Sequence, residues 1–395
     1  MILTRYRAYR LLWATTVLTQ AAQWMMQIAL GWLMLDVTNS AGWVGLIGVA
    51  SGVPFLLVSI PSGVLIDRFD RRLTLLASQA GGAAVGVGLA LVVVWGVVAP
   101  WHLLAAAFLN GAMLAANSAA RQTLVPALVE RAHLQSAIAL MSAGQNATRI
   151  VGPSLAGVLI AAGGAGGAFL AQAGCLLLAL ASTALLPPAP AATSEVLALR
   201  RNLIDGLAYI ARSAVLSGLM LLAIIPTVLV FPYVQFLPVY ARDILAVGAD
   251  GLGLLYTGSG VGAVIGSLAV ASLASLRRRG LFMLVGLVVY GALVTSFAYS
   301  TWVPLSVGLL ALTSGLGSAC MAMNNTLLLM HVTEEVRGRV MGVYTLTWGL
   351  SSLGALPMGF LGDHVSVPLA IAAGALTSSL LTAALAVRSR TLRAL

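Results

Sequence analysis

Runs of twenty or more residues with almost no charge recur along this chain from near its first residue to near its last, and such runs are solvated by lipid rather than water. Only 8% of the 395 residues are charged. A soluble chain carries roughly 25% and needs them to cover its surface. Glycine accounts for 42 residues, against roughly 7% in average usage. Small residues let helices approach closely where lipid removes the hydrophobic drive, so the excess points to a multi-helix bundle rather than a single anchor. The runs lack the alternating polar residues of a membrane β-barrel. The expected fold class is an all-α membrane protein.

The runs predict twelve transmembrane helices, at 10–35, 41–66, 73–97, 101–121, 134–161, 166–187, 214–240, 251–275, 280–299, 302–330, 338–362 and 367–387. At 1.5 Å per residue each crosses a hydrocarbon core of about 30 Å. The net charge of +10 is made by 21 basic residues, all of them arginine. Nineteen fall at the N-terminus, at the C-terminus or in alternate loops, so the charge reports topology rather than a nucleic-acid surface. Arg242 is on the opposite side and Arg149 lies within a span. The positive-inside rule then places both termini in the cytoplasm of a bacterial cell and requires an even helix count. Arg5, Arg7 and Arg10 precede the first span without a cleavage region after it, so that span is expected to stay in the mature protein. Cys175 and Cys320 each sit in an apolar stretch with no metal-ligand spacing, and the four histidines are scattered. No HExxH, GxSxG or Walker loop occurs, so neither an enzyme, a metal site nor a cofactor is expected.

The longest hydrophilic stretch, 188–212, opens with Pro188 and Pro190 and then mixes Leu197, Leu203, Ile204, Leu207 and Ile210 with Arg200, Arg201, Asp205 and Arg212. This reads as a linker with an amphipathic helix on the cytoplasmic surface. It divides the chain into a first six-helix bundle at 1–187 and a second at 213–395. The halves echo each other: PALVERAHLQSAIALM (Pro126 to Met141) with VTEEVRGRVMGVY (Val332 to Tyr344), and VGPSLAG (Val151 to Gly157) with LGALPMG (Leu353 to Gly359). Such duplication belongs to proteins whose halves rock about a central site.

Between the second and third spans runs GVLIDRFDRR, from Gly63 to Arg72. It resembles the signature loop of the major facilitator superfamily, Gly-x-x-x-Asp-Arg-x-x-Arg-Arg. The stretches Gln27 to Gly48, Ala120 to Gly157 and Arg337 to Leu346 resemble the drug- and siderophore-exporting branch that includes enterobactin exporters and macrolide-efflux proteins. The resemblance implies two pseudo-symmetric six-helix bundles, export by alternating access, protons as the coupling ion and a monomer. It also implies a cytoplasmic gate at Gly63, Asp67, Arg68, Arg71, Arg72 and Arg121. In physical terms Gly63 permits close helix contact, Asp67 is suited to cap a helix start and pair with an arginine, and the arginines hold the loop at an anionic leaflet. The bland alternative is an ordinary charged membrane loop. Gly152, Pro153 and Gly157 resemble a Gly-Pro motif of exporters and equally describe a common kink. The corresponding second-half loop, SLRRRG (Ser275 to Gly280), lacks the acid of the first.

Polar residues inside the spans are the candidates for a substrate cavity: Gln20, Gln23 and Gln27, Asn110 and Asn117, Asn146 and Arg149, Tyr233 and Gln235, Asn324 and Asn325. For each, interhelical hydrogen bonding is the competing reading. Arg149 shares a face with Ser142 and Asn146 and either holds an acceptor-rich substrate or makes a structural pair. Acids near the spans are few, and Asp36, Glu130 and Asp363 are the proton-coupling candidates. A cavity without a mid-membrane carboxylate favours a neutral or anionic small molecule. Two rivals stay open: an importer of the same fold, and a non-transporting membrane sensor or scaffold.

Overall fold

The computed structural model describes 2–68, 70–188, 196–272 and 278–395, and the side chains of 58–68, 122, 196–203, 271 and 272 lie outside the described residues. Everything regular in it is helical. Eight described helices are long and apolar enough to cross a membrane, and Ala41–Leu57 adds a shorter apolar stretch. Val94, Leu268, Leu380 and Val387 are each more than two-thirds exposed on these helices. Such a surface suits acyl chains and would be an aggregation liability in water.

The chain begins with the helices Arg7–Thr38, Ala41–Arg68, Arg71–Val94 and Pro100–Leu128. The first ends sharply because Asn39 takes a left-handed φ of 51° and returns its N–H to Leu35. The next segment, Leu134–Ala184, holds 51 residues, which as one rod would be about 76 Å long. It is two helices, because Gly164 leaves the helical region with φ 64°, ψ −174°. Only glycine takes that conformation without strain. The arms run side by side. Trp13 Nε1 donates to the carbonyl of Leu140 on one, while Thr15 Oγ1 donates to that of Ala179 on the other.

The helix Val196–Arg212 covers the expected amphipathic segment. Asp205 pairs with Arg339 at 3.5 Å, while residues 189–195 and the side chains of Leu197, Arg200, Arg201 and Leu203 fall outside the described residues, as does Arg277. Two of the predicted spans are interrupted. Where 214–240 reads as one helix, Ala214–Leu229 gives way to a 3₁₀ segment at Phe231–Phe236, a short helix at Leu237–Val239 and a π turn at Tyr240–Ile244. Pro226, Pro232 and Pro238 each remove a backbone donor, so the ordinary ladder cannot continue. Where 338–362 reads as one helix, Glu334–Thr347 and Ser351–His364 flank a 3₁₀ turn at Trp348–Leu350. There Thr347 Oγ1 donates to the Tyr344 carbonyl and Ser351 Oγ to that of Trp348, so hydroxyls occupy carbonyls the backbone would otherwise use. The remaining helices are Gly248–Ser272, Arg279–Ala298, Val303–His331 and Val367–Arg388.

The chain forms two compact units. One comprises Met1–Asn39, Ala50–Leu199 and Val247–Gly253; the other comprises Ser40–Val49, Arg200–Ala246 and Leu254–Leu395. In the first unit, Tyr9, Leu12, Leu75, Leu124, Ala137 and Met141 form a buried cluster, with Tyr9 Oη donating to the Ala137 carbonyl at 2.6 Å. In the second, Leu219, Leu222, Met283, Leu284, Leu327 and Leu392 belong to a larger one.

Candidate functional site

The loop that carries the Asp-Arg-x-x-Arg-Arg signature is described from Asp70 onward, and the side chains of Gly63, Asp67 and Arg68 lie outside the described residues. Asp70, which the sequence reading passed over, caps the next helix: its Oδ1 accepts from the N–H groups of Arg72 (2.7 Å) and Leu73 (3.3 Å). An aspartate immediately before a helical run is an N-cap signal in its own right. Arg72 Nη2 donates to the carbonyl of Ala184 at 2.5 Å, and Arg71 Nη1 to that of Thr123 at 3.5 Å. Ala184 closes its helix, where carbonyls lack partners and cations are favoured, and Thr123 lies in the last two turns of another. The arginines therefore staple one helix start to two helix ends inside the first unit. Arg121 is buried beside them in sequence terms only: its Nη1 has no hydrogen-bond partner among the described residues.

Gln23, Asn110 and Asn117 converge within the first unit on a small pocket of about 20 Å³, with Thr19, Ser78, Gln79 and Gln172 among its other lining residues. Asn110 Nδ2 donates to Gln23 Oε1 at 3.3 Å, Asn117 Nδ2 to Ser78 Oγ at 3.2 Å, and Gln172 Nε2 to the Gly82 carbonyl at 3.3 Å. Both amide atoms of Gln79, Oε1 of Gln172 and Oγ1 of Thr19 are buried without a partner among the described residues. A space of this size suits one water, which both donates and accepts. An organic ligand needs about 300 Å³ or more. Sequence reading missed Ser78, Gln79, Thr19 and Gln172. The signal was there in the two glutamines, since an amide in an apolar span always needs a partner. Gln20 and Gln27 are half-buried on the same helix as Gln23 and are not among the lining residues. Asn146 and Arg149 are half-buried, and Arg149 has a partner.

In the second unit Tyr233 is buried with its hydroxyl 3.5 Å from Ser314 Oγ, which in turn lies 2.6 Å from Ser259 Oγ. Asn324 Nδ2 donates to the Leu219 carbonyl at 3.1 Å, while Oδ1 of Asn324, Oδ1 of Asn325 and Oε1 of Gln235 each remain without a partner among the described residues. Gln235 packs directly over Gly48.

The acids are placed differently from one another. Asp36 is exposed. Glu130 is an exposed residue 3.6 Å from Arg5 and 3.8 Å from His133, a surface arrangement of small energetic value. Asp363, at the end of Ser351–His364, takes three hydrogen bonds from the start of Ala41–Arg68. They come from Ser40 Oγ (2.5 Å), Ala41 N–H (2.6 Å) and Gly42 N–H (2.9 Å). A carboxylate on the free N–H groups of a helix start is favoured by hydrogen bonding and by the helix dipole. Glycine lets the two helices touch beneath it. A Cβ on Gly45 would stand 2.5 Å from the Ala355 carbonyl, and one on Gly359 would stand 2.7 Å from that of Ala41. The first unit has a matching seam: a Cβ on Gly157 would stand 2.8 Å from Gly253 Cα and 2.9 Å from the Ala249 carbonyl. A Cβ on Gly152 would stand 3.0 Å from the Trp24 side chain, and Pro153 stays within the helix. Each unit thus includes the beginning of one helix from the other half of the sequence, held by a glycine seam.

Comparison with known proteins accords with this architecture. A family model described as a transmembrane secretion effector matches residues 3–395. The enterobactin exporter EntS of Shigella boydii serotype 18 is 27% identical over 352 residues, 87% of this chain and 82% of that protein. Its counterpart in Citrobacter koseri is 28% identical over the same shares. Among solved structures, a bacterial homologue of the human lysosomal transporter Spinster, inward-facing and unoccupied, has a TM-score of 0.74 at 13% identity and covers 98% of this chain and 96% of that one. A POT family transporter in complex with 5-aminolevulinic acid has a TM-score of 0.78 at 11% identity, over 98% and 97%. The structural likenesses speak for the fold, and the family match, which runs almost end to end, decides the membership: the chain belongs to the transmembrane secretion effector family, a branch of the major facilitator superfamily of membrane transporters.

Proposed function

We propose that this chain is a secondary active exporter that moves a neutral or anionic small molecule of siderophore or drug type out of the cytoplasm, driven by protons. It has twelve transmembrane helices in two six-helix bundles, 1–187 and 213–395, joined by the linker at 188–212, and both termini are cytoplasmic. The observation that carries the mechanism is the pair of glycine seams. Ser40–Val49 belongs to the second unit, held by Asp363, and Val247–Gly253 belongs to the first, packed on Gly157. Alternating access needs helix ends that dock and part as blocks, and glycine seams without interlocking side chains do so at small cost. The curated relatives named as enterobactin exporters support the direction and the substrate class.

Asp67 supplies the negative charge of the cytoplasmic gate, and the buried Arg121 guanidinium is the cation that most needs one. The residues assigned to substrate contact are Gln20, Gln27, Asn146 and Arg149 in the first unit and, separately, Gln235 and Asn325 in the second.

Inverted membrane vesicles test this. They should accumulate an added siderophore or macrolide when a proton gradient is imposed, and lose the accumulation with an uncoupler. Asp67→Asn should reduce accumulation about tenfold at normal membrane levels, the range of one lost charge-assisted contact. Accumulation only in right-side-out vesicles would make the chain an importer, and none in either would sink the transport reading for those substrates.

A further inference from the structure

At the far end of the second unit the chain closes with a short helical turn, Arg390–Ala394, folded back against the start of Arg279–Ala298. The fold-back is anchored. Leu392 is buried in the unit's core cluster, and its carbonyl lies against Gly280. The Arg279 N–H donates to the Leu395 carbonyl at 3.1 Å, and Ser389 Oγ accepts from the Leu392 N–H at 3.3 Å. With Leu392 turned inward, Arg390 and Arg393, three residues apart on the turn, stand outward. Together with Arg278 they line a groove of about 830 Å³, whose other walls are Leu281 and Ala394.

All three arginines are exposed, and among the described residues none pairs with a carboxylate. No acidic side chain is near in sequence, since no Asp or Glu occurs from Arg278 to Thr333 or from His364 to Leu395, and the carboxyl oxygen of Leu395 takes the backbone N–H of Arg279. Three like charges on one groove repel unless an anion joins them. The groove also opens onto an apolar track. Leu281, on its wall, is followed at four-residue spacing by Val285 and Val289, and these are 36%, 54% and 43% exposed. Four-residue spacing puts them in one stripe along the helix, leading from the arginines toward the middle of the span.

A cationic pocket at one end and an apolar stripe at the other match one molecule: a phosphate-bearing headgroup with an acyl chain. We propose that Arg278, Arg390 and Arg393 form a binding site for an anionic phospholipid, the arginines holding its headgroup phosphate and Leu281, Val285 and Val289 lying along its acyl chain. Guanidinium groups grip phosphate through paired donors, and basic pockets at the cytoplasmic ends of transmembrane helices are suited to anionic headgroups. The site is independent of what the protein carries, and it would lock the chain's last turn onto the bundle.

The test uses the full-length chain, purified in detergent and stripped of lipid. Native mass spectrometry and thermal melting are measured with added phosphatidylglycerol, cardiolipin, phosphatidylethanolamine or inorganic phosphate. Phosphatidylglycerol and cardiolipin should give discrete adducts and raise the melting temperature; phosphatidylethanolamine and phosphate should do neither. The double variant Arg390→Gln, Arg393→Gln alters only exposed side chains and should bind the anionic lipids roughly thirtyfold more weakly. Arg388→Gln, outside the groove, should bind as wild type does. Equal binding by the double variant, or equal stabilisation by phosphatidylethanolamine, would overturn the site. Equal stabilisation by inorganic phosphate would replace the lipid with a free anion and overturn the apolar half of the proposal.

Discussion

Asp363 shows how much one side chain can do when its surroundings are backbone. Its carboxylate is exposed, and an exposed carboxylate in an ordinary ion pair is worth little. Here it meets two N–H groups and a hydroxyl at a helix start, donors that have no other protein partner in a helix. Losing such a cap costs about 0.5–2 kcal/mol. Asp363→Ala is therefore expected to loosen the start of Ala41–Arg68. The readout is a cysteine placed at Ala41, which is 6% exposed. An impermeant maleimide should label it several-fold faster in the Asp363→Ala background, with Asp363→Asn intermediate because one acceptor oxygen remains. Unchanged labelling would reduce Asp363 to a bystander. Sequence reading found Asp363 because acids are rare here and offered it as a proton-coupling candidate; the capping contact is a further feature. Its three donors come from residues more than 300 positions away, and no local pattern announces that. Asp70 was legible by contrast, since a cap and its helix are neighbours in sequence.

At the scale of elements, long apolar runs made the helices plain, and the breaks within them were harder to see. The reversal at Gly164 falls in the gap the sequence leaves between the spans at 134–161 and 166–187, whereas the 3₁₀ turns inside 214–240 and 338–362 are not marked by any loss of apolar character. The polar cavity was half legible. Gln23, Asn110 and Asn117 do converge, but on a space of about 20 Å³ shared with Gln79 and Gln172 from two further helices. Spacing along one helix identifies a shared face and is silent on which neighbours cover it. Of the glycine seams, the sequence marked Gly157 and Gly359 through the echo of VGPSLAG with LGALPMG, but not the helices they touch. At Gly157 the opposing atoms are backbone, which has no rotamer to yield. Gly157→Val should force the helices apart, lower the melting temperature by several degrees and abolish export, with Gly157→Ala between it and wild type. Gly163→Ala is the control, because a Cβ there meets nothing within 4 Å. If Gly157→Val melts and transports as wild type does, the seam is not a working contact.

At the scale of the molecule, two independent sets of residues speak to orientation. The sequence expectation of nineteen arginines at the termini and in alternate loops holds in part: Arg121 is instead buried within Pro100–Leu128, and Arg337 and Arg339 lie in the helix Glu334–Thr347. Four of the five exposed tryptophans among the described residues, Trp43, Trp95, Trp101 and Trp302, stand beside the turns at 39–40, 95–99 and 299–302, while Trp348 sits at the 3₁₀ turn Trp348–Leu350. Indole rings favour the headgroup region of either leaflet, whereas arginine is retained on the cytoplasmic side during insertion. A cytoplasmic reading for the arginine-rich ends would make the tryptophan ends the outer interface. Reporter fusions at Leu395 and within 188–212 should read as cytoplasmic. In whole cells, an impermeant thiol reagent should label a cysteine at Val97, 56% exposed beside Trp95, and spare one at Arg390 until the cells are opened. A periplasmic reading at Leu395 would invert the arrangement. Export would then become import, and the arginine groove would face the outer leaflet, so one topology experiment bears on both proposals.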